Sequence, residues 1–158
     1  MDIVVRRFHE EDAEAVAALI QRNMLEVNSR DYSPESIQAM VESHDAQCVL
    51  RTASYAHMYV LTDGDEGEIV GVGAISSYWG SLTESILLTI FVKPELHGQG
   101  LGRRIIGTLE DDELFLRASR VEIPASITAT PFYEKMGYGY KNGRVPDEEG
   151  FVRMEKFR

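Results

Sequence analysis

The chain has 158 residues, of which 44% are hydrophobic and 27% are charged, and its formal net charge is -10. These proportions are typical of one folded domain, which we expect to span residues 1–158. The negative charge disfavours nucleic acid and anionic lipid as partners, because both are negatively charged, and it favours cationic ligands such as amines.

The first third of the chain predicts a strand followed by two helices. The β-branched run at residues 3–7 indicates a strand. Acidic residues at 10–12 begin a helix whose apolar side chains recur at helical spacing up to Leu25. Ser33 as N-cap and Pro34 as first helical residue begin a second helix, which we expect to end near Ser43.

The middle of the chain predicts three strands. Residues 57–62 and 68–77 flank a turn-rich link, as in a β-hairpin. Residues 85–92 are mostly apolar, which is typical of a central strand covered on both faces.

The last third predicts a helix at about 101–116 and a strand at 120–125 that contains Pro124. A short helix at 129–136 ends at Gly137, and two final strands surround the turns near Asn142 and the acidic loop 147–150. The order β-αα-βββ-α-β-α-ββ predicts an α/β fold with a mixed sheet and helices on both faces.

The only cysteine, Cys48, rules out an intrachain disulfide and a cysteine-rich metal site, and we expect no metal. It lies in an apolar run with Val49 and Leu50, which predicts a buried thiol. The N-terminus is typical of a strand rather than a signal peptide, and no apolar stretch approaches membrane-spanning length. We therefore expect a cytoplasmic protein with no membrane partner.

The glycine-rich segment His97-Gly98-Gln99-Gly100-Leu101-Gly102 carries the clearest chemical signal. Glycines let the backbone approach a ligand, and free N–H groups at a helix start can hold an anion such as a pyrophosphate. Arg103 and Arg104 oppose the helix dipole unless an anion is bound. The spacing fits neither a P-loop nor a dinucleotide fingerprint. A tight turn without a ligand is the alternative.

Two segments together resemble the GCN5-related N-acetyltransferase (GNAT) family. The family's acetyl-CoA motif, Arg/Gln-x-x-Gly-x-Gly/Ala after a strand ending in Val-x-Pro, is matched by Val92-Lys93-Pro94, Gly100 and Gly102, with His97 at the first position. A later motif, Asn-x-x-Ala-x-x-Phe-Tyr-x-x-x-Gly-Phe/Tyr, is matched by Ala129, Phe132, Tyr133, Gly137 and Tyr138, with Ser126 in place of Asn. The resemblance covers nearly the whole chain.

The resemblance implies a mostly antiparallel central sheet whose two central parallel strands splay apart to admit pantetheine. Pro124, which lacks a backbone N–H, suits a strand that has lost its partner there. A local bulge is the alternative explanation. Acetyl-CoA is the implied co-substrate. Backbone groups of Ile90, Phe91 and Val92 would hold pantetheine and polarise the thioester carbonyl.

The other implied contacts lie in the two motifs. The pyrophosphate is expected against Gly98 and the five residues from Gln99 to Arg103, with His97 as a further donor. Ser126 and Phe132 complete the predicted cofactor-binding set, and Ser126 stands where the family's asparagine would contact pantetheine.

The predicted reaction is direct transfer of an acetyl group to a primary amine of a small molecule or peptide. The resemblance places Tyr133 beside the CoA sulfur, where a phenol with a pKa of about 10 could protonate the leaving thiolate. Glu84 is a candidate general base. The alternative for Glu84 is a solvated carboxylate at a strand end without a catalytic role. The base could then be an ordered water. A non-catalytic acyl-CoA-binding module is the second hypothesis, which the phenol of Tyr133 disfavours.

The resemblance leaves the acceptor unnamed. The segment 28–32 lies where such proteins often shape the acceptor site. Tyr78 and Trp79 are further candidates for its lining, or for packing within their loop. Members of this family often dimerise, which keeps a homodimer open.

Overall fold

Seven strands and six α-helices alternate along the computed structural model, which describes all of residues 1–158. The strands are β1 (Ile3–Arg7), β2 (His57–Asp63), β3 (Ile69–Ser77), β4 (Glu84–Val92), β5 (Arg120–Ala125), β6 (Gly139–Tyr140) and β7 (Val152–Phe157). The helices are α1 (Ala13–Glu26), α2 (Pro34–Ser43), α3 (Ala46–Tyr55), α4 (Leu101–Glu110), α5 (Glu113–Leu116) and α6 (Thr130–Lys135). None of the helices combines the length and the apolarity needed to cross a bilayer.

The strands form one sheet in the order β1-β2-β3-β4-β5-β7-β6. Every neighbouring pair is antiparallel except β4 and β5, which are parallel. The predicted mixed and mostly antiparallel sheet is therefore confirmed.

Helices cover both faces of this sheet, as predicted. On one face, Ile20 of α1 and Val49 of α3 are buried against Val60 and Val72 of the sheet. On the other face, Leu109 of α4 belongs to a second buried cluster that includes Leu61, Leu87 and Tyr133. Burial of apolar surface on both sides is the main stabilising contribution of such a layered fold.

The parallel strands β4 and β5 pair over only three positions, from Glu84 opposite Arg120 to Ile86 opposite Glu122. Beyond them β5 pairs only with β7, and Pro124 lies in that unpaired stretch, opposite Arg153. On its other edge, β4 carries a bulge, because its register with β3 shifts between Val72 and Ala74. Thr89, in the bulge, has a φ of 56°. The predicted splay of the two central strands is confirmed.

Two helical details differ from the sequence-based expectations. The region after residue 44 forms the additional helix α3, whose N-cap Asp45 accepts a hydrogen bond from the Cys48 N–H at 2.9 Å. The predicted burial of the Cys48 thiol is wrong, since Cys48 is only half-buried. Val49 is the one fully buried residue of this helix.

The predicted helix 101–116 is two helices. Asp112 begins α5 by accepting a hydrogen bond from the Leu114 N–H at 2.9 Å, and it also binds the His57 ring and the Tyr59 hydroxyl. These contacts favour a new helix start over continuation of α4.

Substitution of Gly73 tests how closely α4 packs on the sheet beside the bulge. A Cβ added there would lie 2.4 Å from Cγ2 of Ile105 and 3.2 Å from Cδ1 of Leu109, whereas one added at Gly107 would meet nothing within 4 Å. We expect Gly73→Ala to lower the free energy of unfolding by about 1–3 kcal/mol through overpacking. Gly107→Ala, in a helix, is expected to raise it by up to about 1 kcal/mol. Urea denaturation measures both, and equal effects would contradict this packing.

Candidate functional site

Two cavities meet at the opening between β4 and β5. The first, which we call the groove, has a volume of about 580 Å³ and extends from the glycine-rich segment to α6. The second, which we call the inner cavity, has a volume of about 340 Å³ and lies between helices α1–α3 and the splayed strands. Six residues line both: Asn28, Ile90, Phe91, Ser126, Ala129 and Tyr133.

The groove brings together eleven of the fourteen residues that the sequence predicted for the site. They are Ile90, Phe91, Val92, His97, Gly98, Gly100, Gly102, Arg103, Ser126, Phe132 and Tyr133. Gln99 and Leu101 belong to the glycine-rich segment but do not line the groove. The Leu101 side chain is buried in the core, so only its backbone could serve a ligand, whereas Gln99 is exposed. Glu84 is the exception.

The glycine-rich segment offers a run of free backbone donors. The N–H groups of residues 98–103 have no acceptor in the protein, and the next one, of Arg104, donates to the Gly100 carbonyl at 3.1 Å. Gly98 and Gly100 have φ values of 79° and 85°, which residues with a Cβ rarely adopt. Six adjacent unpaired amides at the start of α4 form a site suited to an anion.

Cationic side chains reinforce this site within an acidic chain. Arg103 and Lys135 line the groove, are exposed, and take part in none of the ion pairs of the protein. Gly102 packs α4 directly on α6, since a Cβ there would lie 3.0 Å from Cζ of Phe132. The two walls of the groove therefore meet in a close contact for which glycine leaves room.

His97 has a different contact from the expected one. Its Nε2 lies 2.8 Å from the Val92 carbonyl oxygen, and because a carbonyl only accepts, Nε2 carries the proton. The donor that was predicted for a phosphate thus ties the glycine-rich segment to the end of β4. His97 still lines the groove.

Tyr133 lies at the junction of the two cavities. Its side chain packs edge-on between Phe132 and Tyr138, with ring centroids at 5.4 and 6.5 Å, and the residue is only 5% exposed. Its hydroxyl has no hydrogen-bond partner in the protein, and burial raises the pKa of the phenol above its usual value. The junction thus holds a protonated phenol free to donate.

Asn28 is a site residue that the sequence did not single out. It begins the short 3-10 turn Asn28–Arg30 after α1, is 6% exposed, and lines both cavities. Its side-chain amide has no partner in the protein. Because no fully buried side-chain polar atom of this protein lacks a hydrogen-bond partner, the amide is accessible from the cavities, where a ligand or water can satisfy it. The expected role of segment 28–32 was the only sequence signal.

Ser126 acts first as a helix cap. Its Oγ accepts a hydrogen bond from the Ala129 N–H at 3.2 Å, which leaves its own proton free to donate into the cavities that it lines. A serine can therefore supply a polar contact where the family motif has asparagine.

Glu84 lies at the start of β4, whereas Ile90, Phe91 and Val92 lie at its end. Its carboxylate pairs with Arg120, with 3.3 Å between Oε2 and Nε, and it lines neither cavity. The structure does not bring Glu84 to Tyr133. Tyr78 stacks on the same guanidinium at 4.9 Å, and Trp79 is 90% exposed. Neither aromatic residue lines the cavities.

A family described as "Acetyltransferase (GNAT) domain" matches residues 28–156 of this sequence. No curated protein matches the sequence. Among solved structures, the PaiA N-acetyltransferase from Thermoplasma acidophilum in complex with coenzyme A is similar, with a TM-score of 0.80 and 17% identity over 100% of both chains.

Two further solved structures share the fold. A GCN5-related N-acetyltransferase from Rhodopseudomonas palustris has a TM-score of 0.80 and 22% identity over 100% of this chain and 97% of that one. A GNAT acetyltransferase from Staphylococcus aureus has a TM-score of 0.72 and 13% identity over 98% of both chains. At these identities the likeness is one of fold.

The glycine-rich segment can be tested by calorimetric titration with coenzyme A. We expect Gly100→Asp to weaken binding about tenfold or more, because it puts a side chain and a negative charge at the free amides. Gly143→Asp is the matched control, since Gly143 also has a positive φ of 77° and open space around it but lies outside both cavities. Retained affinity in a folded Gly100→Asp variant would contradict the site.

Proposed function

This chain belongs to the GNAT family of acetyl-CoA-dependent N-acetyltransferases, and we propose that it transfers the acetyl group directly to a primary amine held in the inner cavity, with Tyr133 as the acid. The observation that carries this proposal is the position of Tyr133. It lines both cavities, and its hydroxyl is unpaired. A group that protonates a leaving thiolate must reach both substrates at their point of contact.

The glycine-rich segment holds the co-substrate in this proposal. Acetyl-CoA supplies a diphosphate for the free amides of residues 98–103 and a thioester for the junction. Arg103 and Lys135 add positive charge beside the diphosphate. The backbone of Ile90, Phe91 and Val92 lies where β4 has lost its β5 partner, which frees polar groups of that edge for pantetheine.

Proton transfer divides between the two cavities. As the amine nitrogen bonds to the acetyl carbon and the carbon–sulfur bond breaks, the Tyr133 hydroxyl gives its proton to the sulfur. The nitrogen, now positively charged, gives one of its two protons to the Tyr133 phenolate, which yields the neutral amide and restores the phenol. Burial raises the pKa of this phenol, so it stays protonated at neutral pH. A thiolate formed in the same apolar surroundings has a raised pKa as well, which keeps it able to take the proton.

The acceptor ammonium must lose a proton before it can attack, because its lone pair is otherwise occupied. His44 lines the inner cavity, and its Nδ1 lies 2.7 Å from the Met40 carbonyl oxygen, so this nitrogen is the protonated one and Nε2 can accept. We propose that the proton leaves through water in this cavity towards His44, since Glu84 lies outside it. The Asn28 carboxamide orients the amine nitrogen.

No observation favours the non-catalytic acyl-CoA-binding module over an enzyme. A binding module has no use for a cavity on the far side of the phenol, whereas an acyltransferase needs one for its acceptor.

Tyr133→Phe is the direct test of the acid. We expect an unchanged affinity for acetyl-CoA and a kcat lowered about 100-fold or more, because the thiolate loses its proton donor. Calorimetry measures the affinity, and thiol release in the presence of an amine panel measures turnover.

Tyr138→Phe is the matched control, because Tyr138 is also a buried tyrosine. Its hydroxyl donates a hydrogen bond to the Glu110 carboxylate at 2.9 Å, and it lines neither cavity. Its kcat should stay near the wild-type value. Equal kcat values in the wild type and Tyr133→Phe would rule out Tyr133 as the acid.

Asn28→Leu separates function from folding. Leucine has the same branching pattern as asparagine and leaves no unpaired polar group, so the free energy of unfolding should change by less than about 1 kcal/mol. We expect kcat/KM for the amine to fall about tenfold or more, because the nitrogen loses its orienting contact. Thermal denaturation and steady-state kinetics provide the two readouts. A parallel loss of stability and activity would make Asn28 a structural residue instead.

A further inference from the structure

Building on the acetyl transfer proposed above, we infer that the acceptor is a small monoamine with an apolar body, which enters the inner cavity past Glu149 and carries no second charge. The size, lining and charge of the inner cavity carry this inference.

The inner cavity is small and mostly apolar. Its volume of about 340 Å³ is at the lower end of ordinary ligand sites, which run from about 300 to 1,000 Å³. Fifteen of its 23 lining residues are hydrophobic. They come from α1, α2, α3, β4, β5, the turn after β5, α6 and the segment before β7, and include Ile20, Met24, Met40, Val49, Leu88 and Phe151. Such a lining favours an apolar body, because burial of apolar surface drives its binding.

Only two permanently charged side chains line this cavity, Glu149 and Arg153. Arg153 is already neutralised, since its Nε lies 2.8 Å from Oδ2 of Asp147 and its Nη1 lies 3.5 Å from Oε2 of Glu122. The Glu149 carboxylate takes part in no ion pair and no side-chain hydrogen bond. The free charge that faces an incoming acceptor is therefore a single negative one.

Glu149 is exposed and so lies at the rim of the cavity, on a loop that is held in place. Oδ1 of Asp147 accepts hydrogen bonds from the N–H groups of Glu149 and Phe151, both at 2.9 Å. The Tyr32 hydroxyl donates to the Gly150 carbonyl at 2.7 Å and accepts from the Ile127 N–H at 2.9 Å. The backbone that carries Glu149 therefore has a defined position at the rim of the cavity.

This arrangement discriminates between classes of amine. One carboxylate at the rim attracts one ammonium group, which can then be deprotonated deeper in the cavity. The second ammonium of a diamine would either lie among apolar side chains without a partner, which is costly, or reach the exposed Glu149 at the rim, where an ion pair in contact with solvent contributes little. The carboxylate of an amino acid would face Glu149 and find Arg153 occupied.

Matched pairs of amines test the inference in the wild-type protein with acetyl-CoA and thiol-release detection. Hexylamine and cadaverine are of equal length, and differ by a terminal methyl against a second amine. Phenethylamine and phenylalanine differ by a carboxylate. We expect kcat/KM to be at least about tenfold higher for the apolar member of each pair. Coenzyme A release in the absence of amine sets the background rate.

Two neighbouring variants test the role of the rim. We expect Glu149→Gln to raise the KM for hexylamine about two- to fivefold with a smaller change in kcat, as for an exposed charge contact. Glu148→Gln makes the same change of charge one residue away, at an exposed position that does not line the cavity, and should leave the KM unchanged. Equal KM values in the two variants would show that the Glu149 carboxylate does not attract the acceptor.

The outcomes separate this inference from the proposed function. Preference for cadaverine or phenylalanine would overturn the monoamine inference and leave acetyl transfer standing. Failure to acetylate hexylamine and phenethylamine, by protein that binds acetyl-CoA in calorimetry, would also overturn the inference alone. Failure of folded protein to bind acetyl-CoA would instead overturn the proposed function.

Discussion

Strands β4 and β5 stop pairing after Ile86 and Glu122, and both cavities exist because of that separation. The paired end is held by Arg120, whose guanidinium contacts Glu84 of β4, Glu122 of β5 and Glu155 of β7. An ion-pair cluster across three strands fixes where the ladder is closed, so the strands can diverge only towards the glycine-rich segment. Glu84 thus serves the closed end, far along β4 from the junction.

The open end depends on backbone features that are unfavourable by themselves. Thr89 has a positive φ, which costs of order 1–3 kcal/mol unless the surroundings impose it. Gly73 faces α4 beside this bulge, and its missing Cβ lets Ile105 pack close to the sheet. Pro124 has no N–H to leave unpaired in the gap. The close packing of α4 on β3 thus lies beside the bulge of β4, on the side away from the gap between β4 and β5.

The fold could be predicted from the sequence largely because its strands alternate with strong turn and cap signals, and because Gly100, Gly102 and Tyr133 occur in motifs. Helix α3 escaped prediction although its sequence is amphipathic and Asp45 supplies an N-cap, so both signals were present in the sequence. Asn28 escaped for a different reason. Its role arises because its amide has no partner within the protein and lies where two cavities meet, and neither property is local in sequence. Glu84 was a candidate base because it lies at β4. It lies at the start of that strand, however, whereas the site is formed at the end of the strand, by Ile90, Phe91 and Val92.

Charge is segregated across the junction in a way that the net charge of -10 conceals. The groove presents free amides with Arg103 and Lys135, whereas the rim of the inner cavity presents Glu149. An anionic co-substrate and a cationic acceptor are thus drawn to separate sides of Tyr133, and each is repelled from the other's place. Because both attractions act between exposed groups, salt weakens both of them, while the buried phenol between them is little affected. Binding and chemistry therefore depend on different parts of the molecule, which meet only where the sheet is open.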